Sequence, residues 1–219
     1  MNRKLYMQPR YIVLVDILLV DDIWDEYEKR NSESNTKRNK ELHLSQMAIC
    51  GFKYRYELDT NKQIPFNWKF ELGNAFEWSF VSKLEKIHKI SKQLEIKTTL
   101  KMDGKELLLT GHVDAYDYDL DMPLELKLTT SDFVKDIYRR QLTAYMILLK
   151  KQHGKLIIYN LIHNKINEYD EILEQNDVEL LEKNLNAFSH KKYIPGIENY
   201  LCKFCDNPDC VMSKKKGGN

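Results

Sequence analysis

Glycine and proline are scarce in this chain, at 8 and 5 of 219 residues. With 42% hydrophobic and 31% charged residues, that scarcity excludes a disordered protein. No internal repeat is present. Neither sign of charge dominates: 34 basic residues face 33 acidic ones, so the global balance does not announce nucleic acid. Long apolar runs are absent too. Tyr11 to Val20 is ten residues long and contains Asp16, too short and too polar to cross a bilayer. It follows Arg3, Lys4 and Arg10 as a signal peptide would, but Asp21 and Asp22 stand where a small-residue cleavage site belongs. An intracellular, cytoplasmic protein without membrane association is expected. Its four cysteines are then not expected to form structural disulfides.

What is present is enough chain for one substantial core and an accessory lobe. Charge is uneven locally. Lys29, Arg30, Lys37, Arg38 and Lys40 face only Glu33 in their stretch, and six lysines from Lys191 onward face Glu198, Asp206 and Asp209. Either run suits a solvated loop or tail, and either could hold a phosphate backbone beside an acidic centre.

The hydrophobic periodicity predicts a short helix over 44–50 with Ser45 as N-cap, and a long helix over 70–93. Strands follow over 94–102 and 106–115 around the Asp103-Gly104 turn, with a third over 123–128. Thr129 to Asp132 offers N-caps for a helix over 133–151. Strands over 155–162 and 166–169 and a helix over 178–188 complete the core. Pro195-Gly196 opens a cysteine-bearing tail. This order predicts an α/β fold with a mixed sheet flanked by helices.

One segment carries chemistry. In an extended chain Glu125 and Lys127 share a face, with Leu126 behind them. Asp114, in Gly111-His112-Val113-Asp114, comes from the preceding strand across a turn around residues 118–121. Two carboxylates and an ammonium would converge. Hard oxygen ligands suit magnesium or manganese, which can polarise a phosphodiester and activate water. A Glu-x-Lys pair alone equally fits a solvated face or a cross-strand ion pair.

The motifs occur in a telling order. Gly73 and Glu77 lie on a helix, then come Gly111-x-x-Asp114, Glu125-x-Lys127 and, on the next helix, Gln141-x-x-x-Tyr145. This order resembles the RecB-like branch of the PD-(D/E)XK nucleases. With Cys50 before the motifs and Cys202, Cys205 and Cys210 after them, the chain looks most like the iron–sulfur members, CRISPR-associated nuclease family four and its archaeal and viral relatives. The resemblance covers residues 45 to 210. It implies a restriction-endonuclease-like core over 69–190, an N-terminal segment over 1–68 contributing one cysteine, and a C-terminal cluster-binding segment over 191–219. Glu77, Asp114, Glu125 and the Leu126 carbonyl are then the implied metal ligands, and Lys127 is the implied catalytic lysine. Many relatives carry histidine where Glu77 stands. Gln141 and Tyr145, four apart, share a helix face and would position DNA; an ordinary helix with a core tyrosine has the same spacing.

Four thiolates fit either zinc or a 4Fe–4S cluster by spacing alone; the family pattern implies iron–sulfur. Closing the long loop from Cys50 to Cys202 would favour the folded state. The leading expectation is a metal-dependent deoxyribonuclease, exo- or endonucleolytic, acting on single-stranded DNA. Tyr116, Tyr138 and Trp78 are candidates for stacking on bases, or core residues. His112 is expected to be a packed or surface residue. A second copy or nucleic-acid-processing proteins would be its partners, in a host cytoplasm if the chain is viral. The competing expectations are a degenerate DNA-binding or assembly module and a zinc-stabilised interaction domain.

Overall fold

The computed structural model describes residues 41–60, 68–102, 105–131, 133–189 and 197–212. The Tyr11–Val20 run, the basic stretch 29–40, the Asp103-Gly104 turn, Asp132 and the Pro195-Gly196 pair lie outside them.

The element order is β1 (Glu41–His43), α1 (Leu44–Asp59), α2 (Trp68–Leu84), β2 (Ile90–Met102), β3 (Lys105–Asp117), β4 (Met122–Thr129), α3 (Asp136–Leu149), β5 (His153–Asn160), β6 (Lys165–Ile172) and α4 (Gln175–Ser189), then a 3-10 turn at Tyr200–Phe204. Six strands form one mixed sheet, ordered β1-β3-β4-β5-β6 with β2 also on β3. β2 and β3 pair antiparallel along their length except at Gln93 and Asp114, β4 and β5 pair parallel, and β5 and β6 form an antiparallel hairpin.

β3 organises the sheet. One of its edges is filled by β2. The other is shared: β1 takes Leu108 to Thr110 and β4 takes Ala115 to Asp117. Residues 111–114 lie in the gap, paired with neither β1 nor β4.

Alternation sets the two faces of the sheet. Leu124, Leu126 and Ile157 pack with Ala115 against Val81 of α2. Leu156 and Ile158 pack against Leu142 and Met146 of α3. Glu125 is in register with Leu156 and Lys127 with Ile158, so both point to the α3 side. The largest apolar cluster joins Leu44, Met47, Ala48 and Tyr54 of α1 to Leu109, Val113, Tyr145, Leu181 and Phe188. α1 is therefore part of the main core. It is bent at Cys50, whose backbone is extended (φ −168°, ψ 103°).

Several local expectations change. The helix predicted over 70–93 ends at Leu84, because Ile90 pairs with Asp117 at the start of β2. The apolar spacing of Ile87 and Ile90 mimics a further helical turn, yet Ile87 is exposed. Ser45 lies inside α1; the N-cap of α1 is His43, whose side chain makes no capping hydrogen bond. Thr129 and Ser131 do not cap α3 either. Their hydroxyls accept the N–H groups of Ser131 and Phe133, and α3 starts at Asp136. No helix among the described residues is long and apolar enough to cross a membrane.

Candidate functional site

Asp114 stands at the end of the gap in β3, one residue before pairing with β4 resumes at Ala115 and Leu124. Its Oδ2 accepts the Leu126 N–H at 2.8 Å. The carboxylate thus stands in for the strand partner that β4 loses where the two strands diverge. The same oxygen lies 3.5 Å from Lys127 Nζ.

Glu125 is fully buried at 0% exposure. The Lys127 ammonium forms an ion pair with its Oε1, but neither Glu125 oxygen accepts a hydrogen bond of acceptable geometry. Burying a carboxylate without hydrogen bonds costs several kcal/mol unless something else meets it. Burial pushes the Glu125 carboxyl well above its usual range, the Asp114 charge adds to this, and Lys127 opposes it. Glu77, from α2, feels the same field: burial first and Asp114 second raise it to about 7. Burial works against the Lys127 charge, but Asp114, Glu125 and Glu77 outweigh it and hold the ammonium protonated.

Tyr145 lies over this group from α3. Burial, then the charges of Glu125 and Asp114, raise its hydroxyl pKa, and Gln141 Nε2 donates to that hydroxyl at 3.2 Å. Gly111 makes the approach possible. A Cβ there would sit 3.0 Å from Tyr145 Cε1 and 3.3 Å from Leu44 Cβ. Glu77, Asp114, Glu125, Lys127, Gln141 and Tyr145 are thus brought together by electrostatic coupling or direct contact. A Cβ at Gly73 would meet nothing within 4 Å, and the exposed His112 lies 3.8 Å from Glu95. Tyr116 is buried and donates to Asp121, whereas Trp78 is exposed beneath the Lys92 ammonium.

A cation would suit this group. Three carboxylates face one ammonium, and the buried Glu125 oxygens lack hydrogen bonds. A second acidic group went unread in the sequence. The ligand atoms of His88, Asp117 and Asp119 lie within 4.8 Å of one another, and among the described residues only these three are so closely drawn together. It could take a divalent ion, although both carboxylates already cap the adjoining turn, Asp117 on Asp119 and Leu120, Asp119 on Lys89. Only its Asp-x-Asp spacing was a signal.

The cysteines meet elsewhere. Cys50, Cys202, Cys205 and Cys210 line one cavity with Ile197, Asn199 and Asn207. Cys50, Cys205 and Cys210 are buried, Cys202 is half-buried, and none of the four is in a disulfide. The bend at Cys50 releases backbone groups of α1, and two asparagines take them up. Asn184 of α4 accepts from Gly51 N and donates to Ala48 O; Asn199 donates to Ile49 O. Gly51 is pressed so close that a Cβ would lie 1.9 Å from Asn184 O. N–H groups also reach the sulfurs. Burial raises Cys50 and Cys205, while the backbone of Lys53 and Ile197 opposes this at the first and Asn207 at the second; Asn199 N–H points at Cys202 Sγ, 3.4 Å away. Donors around sulfur favour thiolate ligands. The asparagines were missed in the sequence, although Asn184 falls at helical spacing between Leu181 and Phe188 on the apolar face of α4.

No family model matches the chain, and no curated protein matches its sequence. Solved structures do match its fold. The crystal structure of SSO0001 is 19% identical with a TM-score of 0.59, over 76% of this chain and 83% of that one. An alkaline exonuclease from Laribacter hongkongensis is 14% identical with a TM-score of 0.51, over 68% of this chain and 85% of that one. A phage-related exonuclease from Haemophilus somnus 129PT is 12% identical with a TM-score of 0.50, over 68% and 92%. The chain has the mixed α/β, restriction-endonuclease-like fold that these exonucleases share.

Proposed function

We propose that this chain is a metal-dependent deoxyribonuclease that hydrolyses phosphodiester bonds, with a preference for single-stranded DNA. One observation carries the reading. Glu125 is wholly buried beside Asp114 where β3 and β4 part, with the Lys127 ammonium on its Oε1 and no hydrogen bond to its Oε2. A sheet has no structural use for such a group. Two of the similar folds belong to exonucleases, which supports the same chemistry here.

Glu77, Asp114, Glu125 and the Leu126 carbonyl would hold magnesium or manganese, which when bound polarises a phosphodiester and supplies an activated water. Lys127 keeps its proton under the field of three acids and can neutralise charge developing on phosphate. Gln141 holds the Tyr145 hydroxyl beside the acids, where the pair can orient the substrate. Cys50, Cys202, Cys205 and Cys210 would hold a 4Fe–4S cluster, with zinc the alternative that the same thiolates allow.

The test is incubation of linear and circular single-stranded DNA with magnesium or manganese, beside a Glu125→Ala control. Loss of both forms only with the wild type marks endonucleolytic capacity; loss of the linear form alone marks an exonuclease. A metal-replete protein that cleaves neither defeats the proposal. For the cysteines, Cys205→Ala is expected to lower stability and brown colour together. A colourless, zinc-loaded, fully active wild type overturns the iron–sulfur assignment.

A further inference from the structure

Phe133 is 82% exposed, the most exposed large apolar side chain among the described residues. It does not hold the loop in place. Its neighbour Val134 packs against the Leu142 and Leu156 cluster, and the backbone is fixed by the Thr129 and Ser131 hydroxyls. The loop leaves the carboxyl end of β4, the strand that carries Glu125 and Lys127, and leads into the first turn of α3. There the Tyr138 ring has two ammonium groups near it, Lys127 Nζ at 6.0 Å and Lys135 Nζ at 5.6 Å from its centre.

The next parallel strand ends alongside. Thr129 pairs with Asn160, and the Leu161 N–H donates to Thr129 O at 2.8 Å. Leu161 and Ile162, at the β5–β6 turn, are both exposed. Phe133, Leu161 and Ile162 therefore all expose apolar surface just beyond the adjacent carboxyl ends of β4 and β5. In open α/β sheets, ligands bind outside the carboxyl ends of the strands. Unpaired bases offer flat apolar faces at every step along a phosphate backbone, and an exposed aromatic ring two residues from a lysine matches that pattern.

We propose that Phe133, at the strand ends that also expose Leu161 and Ile162, stacks on an unpaired base of the single-stranded substrate, while Lys135 draws in a neighbouring phosphate. The inference rests on the nuclease reading, since it places the base beside the phosphodiester to be cut. It makes Phe133 a substrate-positioning residue and locates the preference for single strands in this loop, because a base in a duplex keeps its face covered.

The test compares binding of a fluorescent oligothymidine with that of an abasic oligomer of equal length, in the full-length Glu125→Ala protein so that nothing is cut. The parent should bind the base-bearing strand about ten-fold more tightly, the order of one stacking contact. Phe133→Ala and Phe133→Leu should each bring that ratio close to one, and Phe133→Trp should keep it. Thermal melting of all variants should stay with the parent, since Phe133 is not packed in the core. A ratio unchanged by Phe133→Ala, or a parent that does not discriminate, overturns the proposal and leaves wild-type cleavage to speak for the nuclease reading. A changed oligomeric state with an unchanged ratio also overturns it, in favour of a protein contact. A ratio that collapses as expected in a chain whose wild type never cleaves upholds the stacking contact and defeats the nuclease reading alone.

Discussion

The acidic site and the cysteine cavity are both built where regular structure stops, but they treat the interruption in opposite ways. At the acidic site the ladder between β3 and β4 ends, Asp114 fills one backbone vacancy, and the buried Glu125 has the Lys127 ammonium on one oxygen and no hydrogen bond to the other. At the cysteine cavity α1 bends at Cys50, and Asn184 and Asn199 meet the backbone groups that the bend releases. The first region stores unfavourable electrostatics that a cation can relieve. The second has its polar groups satisfied and presents sulfur. The difference separates a site that trades stability for chemistry from one organised for stability.

That contrast can be tested by substitution. The largest effect is expected from Gly51→Ala, whose methyl group has no space beside the Asn184 carbonyl. A loss of about 4 kcal/mol or more in urea unfolding is expected, enough to threaten expression. Asn184→Ala should come next. It leaves the Ala48 carbonyl and the Gly51 N–H without their partner, at about 2–4 kcal/mol for two buried groups. An Asn184→Ala protein as stable as wild type would break the comparison at its cysteine end.

The acidic site should respond with the other sign. Glu77 is raised to about 7 in the fold, so the folded metal-free protein holds its proton when the unfolded chain has lost it. A raised carboxylate favours folding at low pH. Metal-free stability should therefore fall, by on the order of 2 kcal/mol, as pH rises from about 4.5 to about 7. Saturating magnesium should remove that slope, because it selects the ionised acids, and Glu77→Gln should lessen it, leaving the part that the raised Glu125 carboxyl contributes. An equal slope in all three samples would take Glu77 out of the site. The smallest effect is the most diagnostic: Glu125→Gln should abolish cleavage yet raise the metal-free melting temperature by roughly 2–4 °C, about 1 kcal/mol. A fall in melting temperature instead would mean that Glu125 supports the fold.

The acidic group was legible because its information is local. Period-two alternation put Glu125 and Lys127 on one face, and a short turn returned the chain from Asp114 to them. The β2–β3 hairpin and the mixed sheet were legible for the same reason. The end of α2 was not, because Ile87 and Ile90 continue a helical spacing that strand pairing overrides. Nothing local marks the three-residue β1 or the bend at Cys50, since both depend on partners far along the chain: Leu108 to Thr110 for β1, Asn184 for the bend. The exposure of Phe133 was hidden by its apolar neighbours, which made it look like the first residue of an amphipathic helix.

The bond from the Leu126 N–H to Asp114 has a consequence for how such a chain can change over generations. Asparagine has nearly the shape of aspartate, and its amide oxygen would still accept that N–H. An Asp114→Asn exchange would then remove one negative charge while leaving the strands joined as before. On the nuclease reading, loss of cleavage lies one substitution away with the strand contact intact, so such a scaffold can pass from cutting to binding without refolding.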